Sequence, residues 1–94
     1  MSAPDALDAL KARFRVRART DRAALEDALG AGDRAALLTL AHGLSGVAGI
    51  FGHADVSARA ARVEEAIDAA LDDPALAGLT ADLIAALDAV PQVD

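Results

Sequence analysis

The sequence predicts an all-α protein, an up-down-up-down antiparallel four-helix bundle, and three observations lead to this fold class. Hydrophobic residues make up 54% of the 94 residues but aromatic ones only 2%, so the core is expected to be alanine and aliphatic side chains, which suit closely spaced helices. Alternating strand formers are scarce, and no Asn-Gly or Asp-Gly hairpin signal occurs. Four apolar stripes at helical spacing are separated by short connections, which join antiparallel neighbours. The length fits one domain, predicted over residues 1–94.

The first helix is predicted from about Pro4 to Leu29. Its apolar stripe consists of Leu7, Leu10, Phe14, Ala18, Leu25 and Leu29. The short polar–apolar alternation of RFRVRAR inside it resembles a strand, but the longer helical pattern around it takes precedence. Gly30 and Gly32 are expected to end this helix, and Asp33 is a suitable N-cap for the next one.

The second helix is predicted from about Arg34 to Phe51, with Gly52 as its stop. Its buried side is expected to hold Leu37, Leu40, Ala41, Leu44, Val47, Ala48 and Phe51. These positions recur every three or four residues, which is the spacing of one helix face.

The third helix is predicted from about Val56 to Leu71, with Asp55 as its N-cap. Its inner stripe is Val56, Ala60, Val63, Ile67 and Leu71. The segment Asp72–Pro74 is interpreted as a break between helices. Thr80 is then expected to cap a last helix that contains Leu83, Ile84, Leu87 and Val90 and ends before Pro91.

Charge and composition exclude several classes of function. The net charge of −6 and the near absence of aromatic stacking partners argue against a nucleic-acid binder. The basic stretch from Lys11 to Arg22 is interpreted as a solvated helix face, with docking of an acidic protein as the alternative. Cysteine is absent, which excludes disulfides and thiolate chemistry. No signal peptide or membrane span is apparent, so a cytoplasmic location is expected.

The segment AHGLSGVAGIFGH, residues 41–53, differs in composition from the predicted helices around it because it contains four glycines. A glycine in a helix interior costs roughly 0.5–1 kcal/mol relative to alanine. On a helix, His42 shares a face with Leu38 and Thr39 one turn back and with Ser45, Gly46 and Gly49 ahead. The small residues either leave clearance in front of an exposed imidazole or let a neighbouring helix pack closely. The spacing alone leaves both explanations open.

AHGLSGVAGIFG resembles the signature of histidine phosphotransfer (HPt) domains, A-H-x-L-K-G-x-A-x-x-x-G. The matching positions are Ala41, His42, Leu44, Gly46, Ala48 and Gly52. The resemblance extends to both sides of the histidine. The segment before it in the family is similar to ALGAGDRAALLTLAHGL, and the helix after it is similar to ARAARVEEA. The resemblance implies a carrier that accepts a phosphoryl group on His42 from a receiver aspartate or a histidine kinase and passes it to a response regulator. It implies no cofactor on this chain, because the partner receiver supplies Mg²⁺.

The resemblance also implies roles for residues around His42. Glu64 is expected to accept a hydrogen bond from the imidazole Nδ1, although the adjacent Glu65 could serve by sequence alone. Ser45 stands where the family has Lys or Arg next to the phosphoryl group, and it brings no charge. Arg59 or Arg62 could substitute for that cation. Leu38, Gly46 and Gly49 are expected to form the docking surface for the receiver.

Several further expectations concern the rest of the chain. His53 is interpreted as a turn residue, and no spacing typical of a metal site is present. A monomer is expected. A non-catalytic helical bundle that docks receiver domains without phosphotransfer is the alternative function. Autonomous kinase activity is not expected, because the chain lacks a nucleotide-binding glycine-rich segment.

Overall fold

The computed structural model describes residues 6–91, which form four α-helices and one short 3-10 helix, with no strand in that range. The helices are α1 (Ala6–Ala31), α2 (Arg34–Val47), α3 (Ala54–Asp68) and α4 (Asp73–Asp88), and the 3-10 helix spans Ala48–Phe51 between α2 and α3. Each helix packs against its neighbours in the chain, and α4 packs against α1. The all-helical class is therefore confirmed for the described residues. The predicted start near Pro4 lies outside them.

The first two turns between helices follow the sequence signals. Gly32 has a φ of +66° after α1, a conformation that favours glycine. The Asp33 carboxylate accepts a hydrogen bond from the backbone N–H of Ala36 at 3.0 Å, which satisfies one free donor at the start of α2. Gly52, with a φ of +83°, ends the 3-10 helix. The predicted cap at Asp33 is confirmed. Gly52 ends the helical stretch as predicted, but α2 itself ends at Val47, and the last predicted turn, Ala48–Phe51, is a 3-10 helix.

The predicted cap at Asp55 is wrong. His53 occupies the N-cap position of α3, with no side-chain capping bond. Asp55 lies in the first turn of that helix, where its carboxylate accepts a hydrogen bond from Arg59 Nε at 2.9 Å. A carboxylate is stabilised in the first turn as well as at the cap, because both positions face the positive end of the helix dipole.

The predicted cap at Thr80 is also wrong. Helix α4 begins seven residues earlier, at Asp73, and Asp72 caps it by accepting from the Ala75 N–H at 3.0 Å. Pro74 lies in the first turn, where a proline costs no hydrogen bond. Asp72–Pro74 is thus a helix start rather than a break. Thr80 is fully buried inside α4, and its hydroxyl donates to the Leu76 carbonyl at 2.8 Å.

The core is aliphatic and alanine-rich, as the composition predicts. Its larger members are Phe14, Leu25, Leu37, Leu44, Val56, Val63, Leu76, Leu83, Leu87 and Val90. Leu7 and Leu10 were expected inside but are 48% and 44% exposed. They precede Phe14, the first buried residue of α1, and lie on the part of this 26-residue helix that its shorter partners do not cover. Leu71 is also exposed, because α3 ends at Asp68.

One stretch within residues 6–91, Arg34–Phe51, is long and apolar enough to cross a membrane by length and composition alone. A core helix of a helical bundle passes the same test. Leu37, Ala41 and Leu44 of this stretch are buried against the other helices. Only 22% of the stretch is buried, and a single helix of this kind is weak evidence of a membrane span.

Candidate functional site

His42 lies on the outer face of α2, between two core positions. Ala41 and Leu44 are fully buried and fix the orientation of the helix against the bundle. The side chain of His42 is 80% exposed. Its ring therefore projects from a rigid helix into solvent, where a macromolecular partner can reach it.

Helix α3 supplies a carboxylate to the ring. Val63 and Ala66 are buried, which directs Glu64 along the edge of α3 that faces α2. Its Oε2 lies 3.0 Å from Nδ1 of His42, and the Glu64 side chain is 21% exposed. Glu65, the other sequence candidate, is exposed. When Nδ1 carries the proton it donates to Glu64, and the Nε2 lone pair then points away from the bundle.

Ser45 binds the same carboxylate from one turn further along α2. Its hydroxyl lies 2.5 Å from Glu64 Oε1 and 3.0 Å from the carbonyl oxygen of His42. A hydroxyl has one proton to donate, and the contact with Glu64 is the shorter of the two. The hydrogen bond from Ser45 lowers the pKa of Glu64, and the hydrogen bond and charge of His42 act in the same direction against partial burial. Glu64 therefore holds its negative charge beside the ring.

Sequence reasoning missed Ser57, which ties α3 to α2 at this site. Its hydroxyl donates to the Ser45 carbonyl at 2.8 Å. Ser57 and Glu64 are seven residues apart on α3 and so share one helix face. That spacing was the available signal, because it places two polar side chains on the edge of α3 next to the Ser45 turn.

The glycines around His42 have different surroundings. A Cβ on Gly46 would meet nothing within 4 Å, whereas one on Gly49 would lie 3.7 Å from the Ser57 hydroxyl, an ordinary contact. A Cβ on Gly43 would lie 2.5 Å from Nη2 of Arg17. The space over Gly46 is therefore open, and Gly43 has the terminus of an α1 side chain above it.

The surface beside these glycines contains an exposed apolar side chain that sequence reasoning did not single out. Ile50, in the 3-10 helix, is 72% exposed, and Leu38 is half-buried one turn before His42. Gly46 lies between them in the chain, on the exposed side of α2. This outer strip of α2 and the 3-10 helix carries apolar side chains at both ends, the exposed His42 between them, and no side-chain bulk at Gly46.

The two arginines considered as substitutes for the missing family cation lie on α3. Arg59 pairs with Asp55 at 2.9 Å and approaches Asp82 of α4 at 4.0 Å. Its guanidinium is therefore directed toward α4. Arg62 is exposed. Within residues 6–91, no group of three or more His, Cys, Asp or Glu side chains could hold a metal ion.

His53 has a different environment from His42. Its ring stacks on Phe14 with a centroid separation of 5.0 Å and an interplanar angle of 19°. It follows Gly52 at the end of the 3-10 helix, in the turn predicted for it.

Comparison with known proteins gives one finding that covers most of the chain. The sequence profile described as the Hpt domain matches residues 9–92. No match is found among curated proteins or among solved structures. The matched range includes every residue of the site described above.

Proposed function

Because the chain belongs to the Hpt domain family, whose members carry phosphoryl groups in phosphorelays, we propose that it is a phosphorelay carrier with His42 as its phosphoacceptor. The main support is the geometry of one pair of side chains. The imidazole is 80% exposed, and its Nδ1 lies 3.0 Å from the Glu64 carboxylate. Nδ1 is thus held by Glu64, and Nε2 is left to accept the phosphoryl group.

The proposed reaction is the transfer of a phosphoryl group between an acyl phosphate and the imidazole. The Nε2 lone pair of neutral His42 attacks the phosphorus of a receiver aspartyl phosphate. The P–O bond to the aspartyl oxygen breaks, and the aspartate leaves as a carboxylate with the bonding electrons. The ring keeps its Nδ1 proton and becomes a positively charged phosphoimidazolium. The reverse step passes the group to a response regulator.

Glu64 is proposed to orient the ring and to stabilise the positive charge that develops on it. A carboxylate hydrogen-bonded to Nδ1 selects the tautomer with its lone pair on Nε2, as in other histidine–carboxylate pairs. Ser45 acts through Glu64, because its hydroxyl keeps that carboxylate ionised and in place. Ser45 also lies close to where the phosphoryl group would sit, but it offers no cation to it.

The proposed docking surface for the receiver contains Leu38, Gly46 and Gly49. The open space over Gly46 and the low bulk at Gly49 support this assignment. The Mg²⁺ that assists phosphoryl transfer is expected on the receiver, and no cofactor is proposed for this chain.

Short connections and the contacts of each helix with its chain neighbours, with α4 against α1, support the up-down-up-down antiparallel arrangement. We also propose that the chain is a monomer and acts in the cytoplasm.

The decisive experiment is incubation with a receiver domain carrying a radiolabelled aspartyl phosphate. We expect label on this chain that is labile in acid and stable in base, as a phosphohistidine is. His42→Gln should abolish the label, and His53→Gln should leave it unchanged. Binding of the receiver without any label on the chain would instead support a non-catalytic docking module. Label that survives His42→Gln would refute the assignment of the phosphoacceptor.

A further inference from the structure

Arg17 of α1 crosses to α2 and lies over the backbone of Gly43, the residue that follows His42. A Cβ on Gly43 would be only 2.5 Å from Arg17 Nη2, and the guanidinium occupies that space because glycine has no side chain. Asp21 holds the arginine from one turn further along α1, with Nε donating to its carboxylate at 3.1 Å. The Asp21 side chain is 13% exposed, so the anchor is largely shielded from water.

This position brings the guanidinium close to the phosphoacceptor. A Cβ lies about 1.5 Å from its Cα, and consecutive Cα atoms are about 3.8 Å apart. Arg17 Nη2 is therefore within about 8 Å of the His42 Cα. It lies over Gly43 on the side of α2 that faces α1, roughly 100° around the helix from the direction in which the imidazole projects. The Arg17 side chain is 43% exposed, so its outer nitrogens can turn toward a group held on the ring.

The site lacks the cation that the HPt pattern places on α2. Ser45 stands at that position, and its hydroxyl is directed at Glu64. The Arg59 guanidinium is directed toward Asp82 of α4. The Arg17 guanidinium, by contrast, packs over Gly43, on the turn of α2 that carries His42.

We propose that Arg17 supplies, from α1, the positive charge that stabilises the phosphoryl group on His42, and that Gly43 provides the space in which its guanidinium lies. This inference rests on the proposed function of His42. Arg17 is here a residue that contacts phosphoryl oxygens, because a planar guanidinium can donate two hydrogen bonds to them. A cation in this position holds the dianionic phosphoryl group more strongly than the loose transition state, in which charge moves toward the leaving nitrogen. It therefore slows loss of the phosphoryl group to water.

The test uses phosphoramidate, a chemical donor that phosphorylates histidine without a partner protein. The full chain in a His53→Gln background has a single histidine, so the phosphorus NMR signal reports His42 alone. Two quantities are measured: the pKa of the phosphoryl group and the lifetime of the phosphohistidine. Arg17→Gln should raise that pKa by roughly half a unit and shorten the lifetime about threefold, in keeping with a partly exposed ion pair. Arg17→Lys should restore part of both effects.

Two further variants separate the position of Arg17 from its charge. Gly43→Ala keeps the arginine but displaces its guanidinium, and it should change both quantities in the same direction as Arg17→Gln. Arg19→Gln removes the same charge from the side of α1 next to α4, and it should change neither. Circular dichroism verifies that each variant remains helical.

Equal values for Arg17→Gln and Arg19→Gln would overturn the proposal. If Gly43→Ala has the wild-type phosphoryl pKa and lifetime, the space over Gly43 does not position the Arg17 guanidinium. Because phosphoramidate needs no receiver, these results stand apart from the relay itself. Failure of a receiver to label the chain would refute the proposed function and leave the measured effect of Arg17 on phospho-His42 intact.

Discussion

The two histidines of this chain, His42 and His53, are placed in opposite ways by the same bundle. The His42 side chain is 80% exposed and is held through Nδ1 by a carboxylate. The His53 ring lies flat against Phe14, a core residue that is only 3% exposed. One imidazole faces solvent, and the other extends the edge of the core.

The difference supports the proposal that His42, and not His53, is the phosphoacceptor. A stacked ring gains packing energy, but one of its faces is covered by its neighbour. His42 instead has open space over Gly46 and a carboxylate on the ring nitrogen opposite the proposed reactive one. Access and orientation, rather than residue type, distinguish the two sites.

The largest effect is expected from filling the space in front of His42. Gly46→Leu and Gly49→Leu should each reduce the rate of transfer from a phosphorylated receiver by about 100-fold, because a misplacement of the reacting groups by about 1 Å has that cost. Rapid-quench labelling measures the rate. Helicity should be retained or increased, since both changes remove a glycine from a helix.

Gly78→Leu is the matched control for these glycine variants. Gly78 lies on α4, and a Cβ there would meet nothing within 4 Å. This variant should transfer at the wild-type rate. If Gly49→Leu accepts the phosphoryl group at the normal rate, the docking surface has been assigned incorrectly.

A smaller effect is expected from removing the orienting charge. Glu64→Gln should lower the transfer rate about tenfold, because an amide can hydrogen-bond Nδ1 but cannot stabilise a positive ring. Nitrogen-15 NMR should also show a smaller fraction of the Nδ1-protonated tautomer. Glu65→Gln removes the same charge from the exposed neighbour and should change neither quantity. Equal behaviour of the two variants would mean that Glu64 is one surface acid among many.

The smallest effect is expected from adding the cation that the family pattern contains. Ser45→Lys should lengthen the phosphohistidine lifetime about threefold, because an ammonium attracts the phosphoryl oxygens where a hydroxyl brings no charge. Scintillation counting of labelled protein over time measures the lifetime. Ser45→Ala controls for loss of the hydroxyl bond to Glu64 and should not lengthen it. An unchanged or shorter lifetime in Ser45→Lys would remove this explanation of the serine.

The sequence was sufficient for features that depend on local chemistry. The cap at Asp33 and the stop at Gly52 follow from what those residues do at a helix end, and the core pattern of α2 follows from its periodicity. The predicted start of α4 was wrong because Asp72 and Pro74 are compatible with both a break and a helix N-terminus. Thr80 was a second residue suited to an N-cap. Competing local signals of similar strength cannot be ranked without the packing that decides between them.

The missed parts of the site depend on contacts between helices. Arg17 and Gly43 are far apart in the chain, and their approach depends on how α1 and α2 pack. The hydrogen bond from Ser57 to the Ser45 carbonyl likewise exists only once α3 is seated against α2. Spacing could bring Glu64 and Ser57 onto one face. It could not show whether Glu64 or Glu65 reaches the imidazole.

The first turns of α1 extend past the rest of the bundle and leave Leu7 and Leu10 in water. Little burial links this overhang to the core, so it can fray while the four-helix body stays closed. Changes there are expected to leave His42, the proposed phosphoacceptor, undisturbed. Leu7 is therefore a suitable attachment point for a fluorescent dye or a surface tether in tests of the proposed receiver binding.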